Sequence, residues 1–166
     1  MLFLILLVKS VEDDRVALTS LYQAAGGQSW SNKQNWLNGD PCDGVSNYAS
    51  YWVGAQCTNG RVRYLNFAPP HGITGLTGTL PTQMGLLSNP SDLHIIIQGH
   101  PALSGTIPSQ FGDLATGGSI RLSLAENSIS GTVPSELGGM SQSSGSGFLN
   151  VQSNRLIEQA NDSLSR

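Results

Sequence analysis

Leu122-Ser123-Leu124-Ala125-Glu126-Asn127-Ser128-Ile129-Ser130-Gly131-Thr132-Val133-Pro134 is the stretch that decides the fold. It opens on a period-two alternation, which sends one set of side chains inward and the other outward on a strand. It closes on the block aliphatic-Ser/Thr-Gly-Thr-aliphatic-Pro. That block occurs twice upstream, as Leu76-Thr77-Gly78-Thr79-Leu80-Pro81 and Leu103-Ser104-Gly105-Thr106-Ile107-Pro108. The three prolines are spaced 27 and 26 residues apart. Each block runs into a helix-like or loop turn ending in glycine: Gln83-Met84-Gly85, Gln110-Phe111-Gly112 and Glu136-Leu137-Gly138. Further alternating stretches stand at Leu65-Asn66-Phe67, Ile95-Ile96-Ile97 and Leu149-Asn150-Val151. A strand this short cannot bury its apolar face alone. Stacked at about 4.8 Å on its neighbours, it builds a parallel sheet over a shared core.

The pattern resembles the plant-type leucine-rich-repeat family, whose unit runs Leu-x-Leu-x-x-Asn-x-Leu-Ser-Gly-x-Ile-Pro. The resemblance implies an α/β solenoid, a leucine-rich-repeat arc with a short parallel sheet on its concave face and a helical, disulfide-bridged N-terminal cap. It also implies a turn asparagine at Asn127 and Asn154, each bonding backbone groups of adjacent repeats. The second repeat departs by carrying His100 at that position, and the first is blurred by Ala68-Pro69-Pro70-His71-Gly72. Asn89-Pro90-Ser91, Gly117-Gly118 and Ser141–Gly147 read as surface-loop insertions. The fourth repeat reaches Leu156 without its Gly-x-Ile-Pro block. A solenoid needs capped ends. Either Leu156–Leu164 folds over the last apolar face or the chain is a fragment of a longer protein, and the fragment is the expectation.

Upstream of the repeats the periodicity becomes helical. Leu18, Leu21, Tyr22 and Ala25 make one apolar stripe, Glu12-Asp13-Asp14 sits where the helix dipole favours negative charge, and Gly26-Gly27 ends the run. Asp14-Arg15-Val16-Ala17-Leu18, Gly26-Gly27-Gln28-Ser29-Trp30, Asn35-Trp36-Leu37, Asp40-Pro41-Cys42 and, more loosely, Trp52-Val53-Gly54-Ala55-Gln56-Cys57 resemble the family's N-terminal cap in order. Asn59-Gly60 reads as a turn into the first repeat strand. The domain reading is a leader over 1–10, the cap over 11–60, the repeats over 61–157, and a tail or truncated repeat over 158–166.

Composition narrows the function. Charged residues are 11% of the 166-residue chain and the net charge is −3, so no basic field exists for nucleic acid or anionic lipid. The apolar run Met1–Val8 is far too short to span a bilayer but has the length of a secretory signal's apolar core. Val8 and Ser10 suit the small-residue positions before a cleavage site, placing the mature start near Val11; the competing reading is an apolar strand or helix packed on the core. In an extracellular setting Cys42 and Cys57 form one bridge; in the cytosol they are free thiols. Neither they nor His71, His94 and His100 stand at metal-ligand spacing.

No nucleophile–base pair, paired carboxylates or phosphate loop is recognisable, so no enzyme, cofactor or metal is expected. Asn161-Asp162-Ser163 is a single glycosylation triplet. What remains is a surface. The outward strand residues Tyr64, Asn66, His94, Ile96, Gln98, Arg121, Ser123, Asn150 and Gln152 form the candidate ligand strip, with Tyr64 and Arg121 foremost because Tyr and Arg dominate hot spots. The expected function is an extracellular recognition module for a protein, peptide or polysaccharide. The alternatives are a fragment of a receptor-kinase-like ectodomain and a structural scaffold without a discrete ligand.

Overall fold

The structure is a computed structural model and describes residues 10–42, 52–70, 72–88, 92–116, 119–141 and 147–157. The leader 1–9, His71, the tail 158–166 with its Asn161 triplet, and most of the inserted loops lie outside the described residues.

Helix α1 (Val11–Ala24) begins where its sequence says it should. The Ser10 hydroxyl accepts from the Asp13 N–H and the Asp13 carboxylate accepts from the Ser10 N–H, a closed capping box. Beyond Ala25, Gly26 takes a left-handed φ of 69°, which releases the chain from the helix. The buried stripe is Ala17, Leu18, Leu21, Tyr22 and Ala25. It also includes Asp14, which the sequence assigned to the helix dipole alone. Asp14 instead accepts from Arg61 Nε at 2.9 Å, Arg61 Nη2 at 2.8 Å and the Val62 N–H at 2.9 Å, tying the helix to the first repeat strand. Burial pushes its carboxyl above the usual range, opposed by the Arg61 and Val62 hydrogen bonds.

Trp30, Trp36, Trp52 and Phe67 pack as one aromatic group under the helix, with centroid separations of 4.8 Å (Trp30–Trp36), 5.0 Å (Trp36–Trp52) and 5.2 Å (Trp30–Phe67). Each indole N–H finds a carbonyl: Ala25, Val53 and Asn38 respectively. The Cys42–Cys57 bridge is formed. It closes a 15-residue loop, worth about 3 kcal/mol by restricting the unfolded chain. The segment read as part of the cap motif holds a strand that the sequence did not announce. Strand β1 (Ala55–Thr58) runs antiparallel to β2 (Arg61–Asn66) through Asn59 and Gly60, both in the left-handed region, with a bulge at Gln56/Cys57.

From β2 onward the strands are parallel. Including β4 (Asp92–Ile96), β6 (Ser119–Ser123) and β8 (Phe148–Asn150), the sheet order is β1-β2-β4-β6-β8. Leu65, Ile95, Leu122 and Leu149 pair in register as one column. Their strand neighbours Phe67, Ile97, Leu124 and Val151 follow as a second column by the same register. Short strands β3 (Gly78–Thr79), β5 (Leu103–Ser104) and β7 (Ser130–Gly131) come from the Ser/Thr-Gly-Thr blocks; β3 pairs with β5, and β7 pairs with β9 (Arg155–Leu156) of the fourth unit, which lacks that block. Each Pro81, Pro108 and Pro134 is followed by a 3-10 helix: Thr82–Leu86, Ser109–Thr116 and Ser135–Ser141.

The glycines of these helices explain their recurrence. A Cβ on Gly85 would lie 2.2 Å from the Gln110 carbonyl oxygen, and one on Gly112 2.5 Å from Glu136 Cβ. Backbone packs on backbone there. The turn asparagines bridge successive units as the resemblance implied. Asn127 Nδ2 donates to Ile97 O and Leu124 O, each at 2.8 Å, and its Oδ1 accepts from the His100 N–H at 2.9 Å. Asn154 Nδ2 reaches Leu124 O at 2.8 Å and Val151 O at 3.0 Å, and its Oδ1 accepts from Ile129 N–H. His100 fills the same place in its own unit: buried, it reaches back through Nε2 to the Phe67 carbonyl. Burial lowers its pKa, so the ring is neutral and donates the Nε2 proton.

Candidate functional site

Parallel register at about 4.8 Å turns equivalent strand positions into rows that cross the sheet. The row one residue before the core column is Tyr64, His94, Arg121 and Phe148, paired in that order. The row one residue after it is Asn66, Ile96, Ser123 and Asn150. Gln98 and Gln152 lie beyond, at the ends of their strands. The sequence-predicted strip is therefore one contiguous face, with two amendments.

The first concerns Ser123. It was counted among ligand-facing residues, but it is only 8% exposed, and its hydroxyl donates to Gln98 Oε1 at 2.9 Å. It forms part of the floor and fixes Gln98 without itself presenting a free group. The second is Phe148, which sequence reading passed over although it stands where Tyr64, His94 and Arg121 stand in their units. It is 50% exposed and supplies the apolar end of the row. The same position-before-leucine rule that selected Arg121 would have found it.

Arg63 and Asp92 were also missed. Arg63 grips Asp92 through Nε at 2.7 Å and Nη2 at 2.9 Å, across two strands whose contributing residues lie 29 apart in sequence. His94 Nε2 stands 3.4 Å from the same carboxylate, and its ring lies 5.7 Å from that of Tyr64. The Arg63 hydrogen bonds hold the Asp92 carboxyl below its usual range. Asp92 is thereby neutralised locally. Arg121 is exposed and, among the described residues, has no carboxylate within ion-pair distance.

Asn66 and Asn150 spend their side-chain oxygens locally, accepting from the Ala68 and Gln152 N–H at 2.9 and 3.2 Å. Their amide NH2 groups have no hydrogen-bond partner among the described residues. The face thus presents two ring side chains, a phenyl, a guanidinium and amide donors. No group of three or more His, Cys, Asp or Glu is placed to hold a metal ion among the described residues. No helix there is long and apolar enough to cross a membrane.

Stacked parallel strands, turn asparagines and recurrent 3-10 helices define the fold as that of the plant-type leucine-rich-repeat proteins. Solved structures agree. The chain is similar to a plant ice-binding protein (21% identity, TM-score 0.56), matching over 90% of its own length and 50% of the other's. It is similar to the leucine-rich-repeat ectodomain of the receptor kinase SOBIR1 from Arabidopsis thaliana (22% identity, TM-score 0.53, 87% of this chain and 68% of that one). It is also similar to the structure of PEPR1-AtPEP1 (23% identity, TM-score 0.53, 87% and 18%). The chain spans about half the length of the ice-binding protein. No protein-family model matches it, and no curated protein matches it.

Proposed function

We propose that the chain is a non-enzymatic extracellular recognition module that binds an extended peptide or protein segment, or a polysaccharide, across the concave face of a four-repeat leucine-rich-repeat solenoid. Helix α1, the aromatic group and the disulfide form its N-terminal cap. The observation that carries this reading is the in-register row Tyr64–His94–Arg121–Phe148 beside Asn66–Ile96–Ser123–Asn150. Aromatic rings and an uncommitted guanidinium next to amide donors are the composition of binding hot spots. The extracellular setting is supported by the disulfide, by the apolar leader, and by similarity to a receptor-kinase ectodomain. A longer parent would make the same unit the outer part of a receptor.

The test is to probe the immobilised chain with a synthetic peptide library and an oligosaccharide array, then repeat each positive interaction with Tyr64→Ala and Arg121→Ala. Both residues are off the core, so folding should be retained. Binding should fall at least about tenfold in each variant. A ligand indifferent to both substitutions would remove the face from the argument.

A second reading has its own support. Thr79, Thr106 and Thr132 are exposed at equivalent places in three successive units. The Thr79 methyl lies over Gly105 and the Thr106 methyl over Gly131. The hydroxyls and methyls therefore form a regular, charge-free column at about the 4.8 Å interstrand repeat, suited to ordered water. With the similarity to a plant ice-binding protein, this favours ice as the ligand. Ice recrystallisation inhibition that disappears in Thr106→Tyr and survives in Arg121→Ala would select this reading over the first.

A further inference from the structure

Of the three arginines in the five-stranded sheet, two are engaged within the molecule. Arg61 is bonded to the buried Asp14 and Arg63 to Asp92. Asp92 is the sheet's one carboxylate among the described residues, and His94 stands 3.4 Å from it as well. The third arginine, Arg121, pairs in register with His94, is exposed, and has no carboxylate within ion-pair distance among the described residues. The amides nearby are fixed by their oxygens. Asn66 Oδ1 accepts from the Ala68 N–H and Gln98 Oε1 from the Ser123 hydroxyl, so what each offers a ligand is its NH2 end. The complement of such a face is rich in acceptor oxygens and carries an anion at one place. A guanidinium fork matches a planar carboxylate with two parallel hydrogen bonds.

Spacing narrows the chemistry further. Each rung of the sheet repeats one layout: Tyr64 with Asn66 on β2, His94 with Ile96 on β4, Arg121 with Ser123 on β6. Successive rungs are about 4.8 Å apart. An extended peptide advances about 3.3 Å per residue and turns alternate side chains away, so it meets each rung with a different part of its repeat. A chain of 1,4-linked pyranoses advances by nearly one rung per sugar, so every rung meets an equivalent ring. The C–H faces of sugars suit the Tyr64 and His94 rings, whose centroids lie 5.7 Å apart. Sugar hydroxyl oxygens accept from amide NH2 groups. We infer that the ligand of this face is an acidic polysaccharide, a 1,4-linked chain containing uronic acid, which lies across the strands with one sugar per rung and a carboxylate on Arg121. One guanidinium on a chain of net charge −3 fits spaced carboxylates, whereas a densely sulfated chain needs a field of cations. The inference rests on the proposal that this face binds a ligand, and narrows that proposal to one chemical class.

Calorimetric titration of the 166-residue chain with hexamers of 1,4-linked glucuronate, galacturonate and mannuronate tests this, beside their methyl esters, cellohexaose and hexaglutamate. At least one uronate hexamer should bind. Its methyl ester, equal in length but uncharged, should bind at least about tenfold more weakly. Arg121→Ala should remove that preference, so that acid and ester bind alike. Arg121→Lys should restore only part of it, because an ammonium cannot form the fork. Tyr64→Ala should weaken acid and ester by the same factor, since it removes stacking and no charge. Binding of no uronate, an ester equal to its acid, or a preference that survives Arg121→Ala would overturn the inference. So would hexaglutamate competing as strongly as the uronate, which makes an acidic peptide the ligand. The broader proposal stands or falls separately. A peptide or neutral glycan whose binding depends on Tyr64 and Arg121 keeps the recognition face and removes the acidic polysaccharide from it.

Discussion

Replacing Asn127 with alanine should cost the fold about 3–4 kcal/mol, more than any other single polar truncation in the repeats. Its side chain makes three buried hydrogen bonds, but they are not equivalent on removal. Leu124 O retains the Asn154 amide as a second donor. Among the described residues the Ile97 carbonyl and the His100 N–H have no other hydrogen bond, so two buried backbone groups are left unpaired. Each such group costs about 1–3 kcal/mol, so the two together cost about 2–6 kcal/mol, and partial water entry into the vacated space places the sum at about 3–4 kcal/mol. Asn154→Ala is the internal control. It removes comparable bonds from a half-exposed turn at the last unit, where water replaces them, so its cost should be about 1 kcal/mol. Urea unfolding followed by circular dichroism and by tryptophan emission gives both numbers, provided the slope is unchanged between variants. The reasoning fails if Asn127→Ala costs under about 1 kcal/mol or no more than Asn154→Ala.

Three further outcomes follow from the same geometry. Because burial depresses the His100 pKa, the unfolded chain binds the extra proton first; stability should fall as pH drops from about 6.5 toward the lowered folded value, and His100→Asn should flatten that dependence in thermal melts between pH 7 and 5. Gly112→Ala should destabilise by about 1–3 kcal/mol because its Cβ would collide with Glu136, whereas Gly138→Ala, whose Cβ would meet nothing within 4 Å among the described residues, should change stability by less than about 0.5 kcal/mol. Ser10→Ala should cost about 1 kcal/mol by opening the capping box. A chain beginning at Val11, the start expected from the leader, should show the same loss, measured by the same melts.

Period and punctuation made much of the fold legible. Two-residue alternation identifies which side of each strand is apolar, and the proline-terminated blocks fix how often the chain returns. Leu65, Ile95, Leu122 and Leu149 accordingly align as read. Asn127, Asn154 and even the substituted His100 fall where the resemblance to the leucine-rich-repeat family places them. Helix α1 and its glycine stop follow from local rules alone, and so does the outward position of Tyr64, His94 and Arg121.

Other features depend on which residues the stacking brings side by side. Asp14 reads as a helix-dipole carboxylate until Arg61 and Val62, more than forty residues away, close on it. Ser123 reads as outward until Gln98 of the preceding unit covers it, and Arg63 meets Asp92 only because β2 and β4 adopt one particular register. Insertions of unequal length separate these partners, so sequence distance does not reveal them. The amino-acid order by itself determines the face each side chain takes, since that is set by local backbone periodicity. Its lateral neighbour is set by interstrand hydrogen bonding and core packing, and these exist only once the units have stacked.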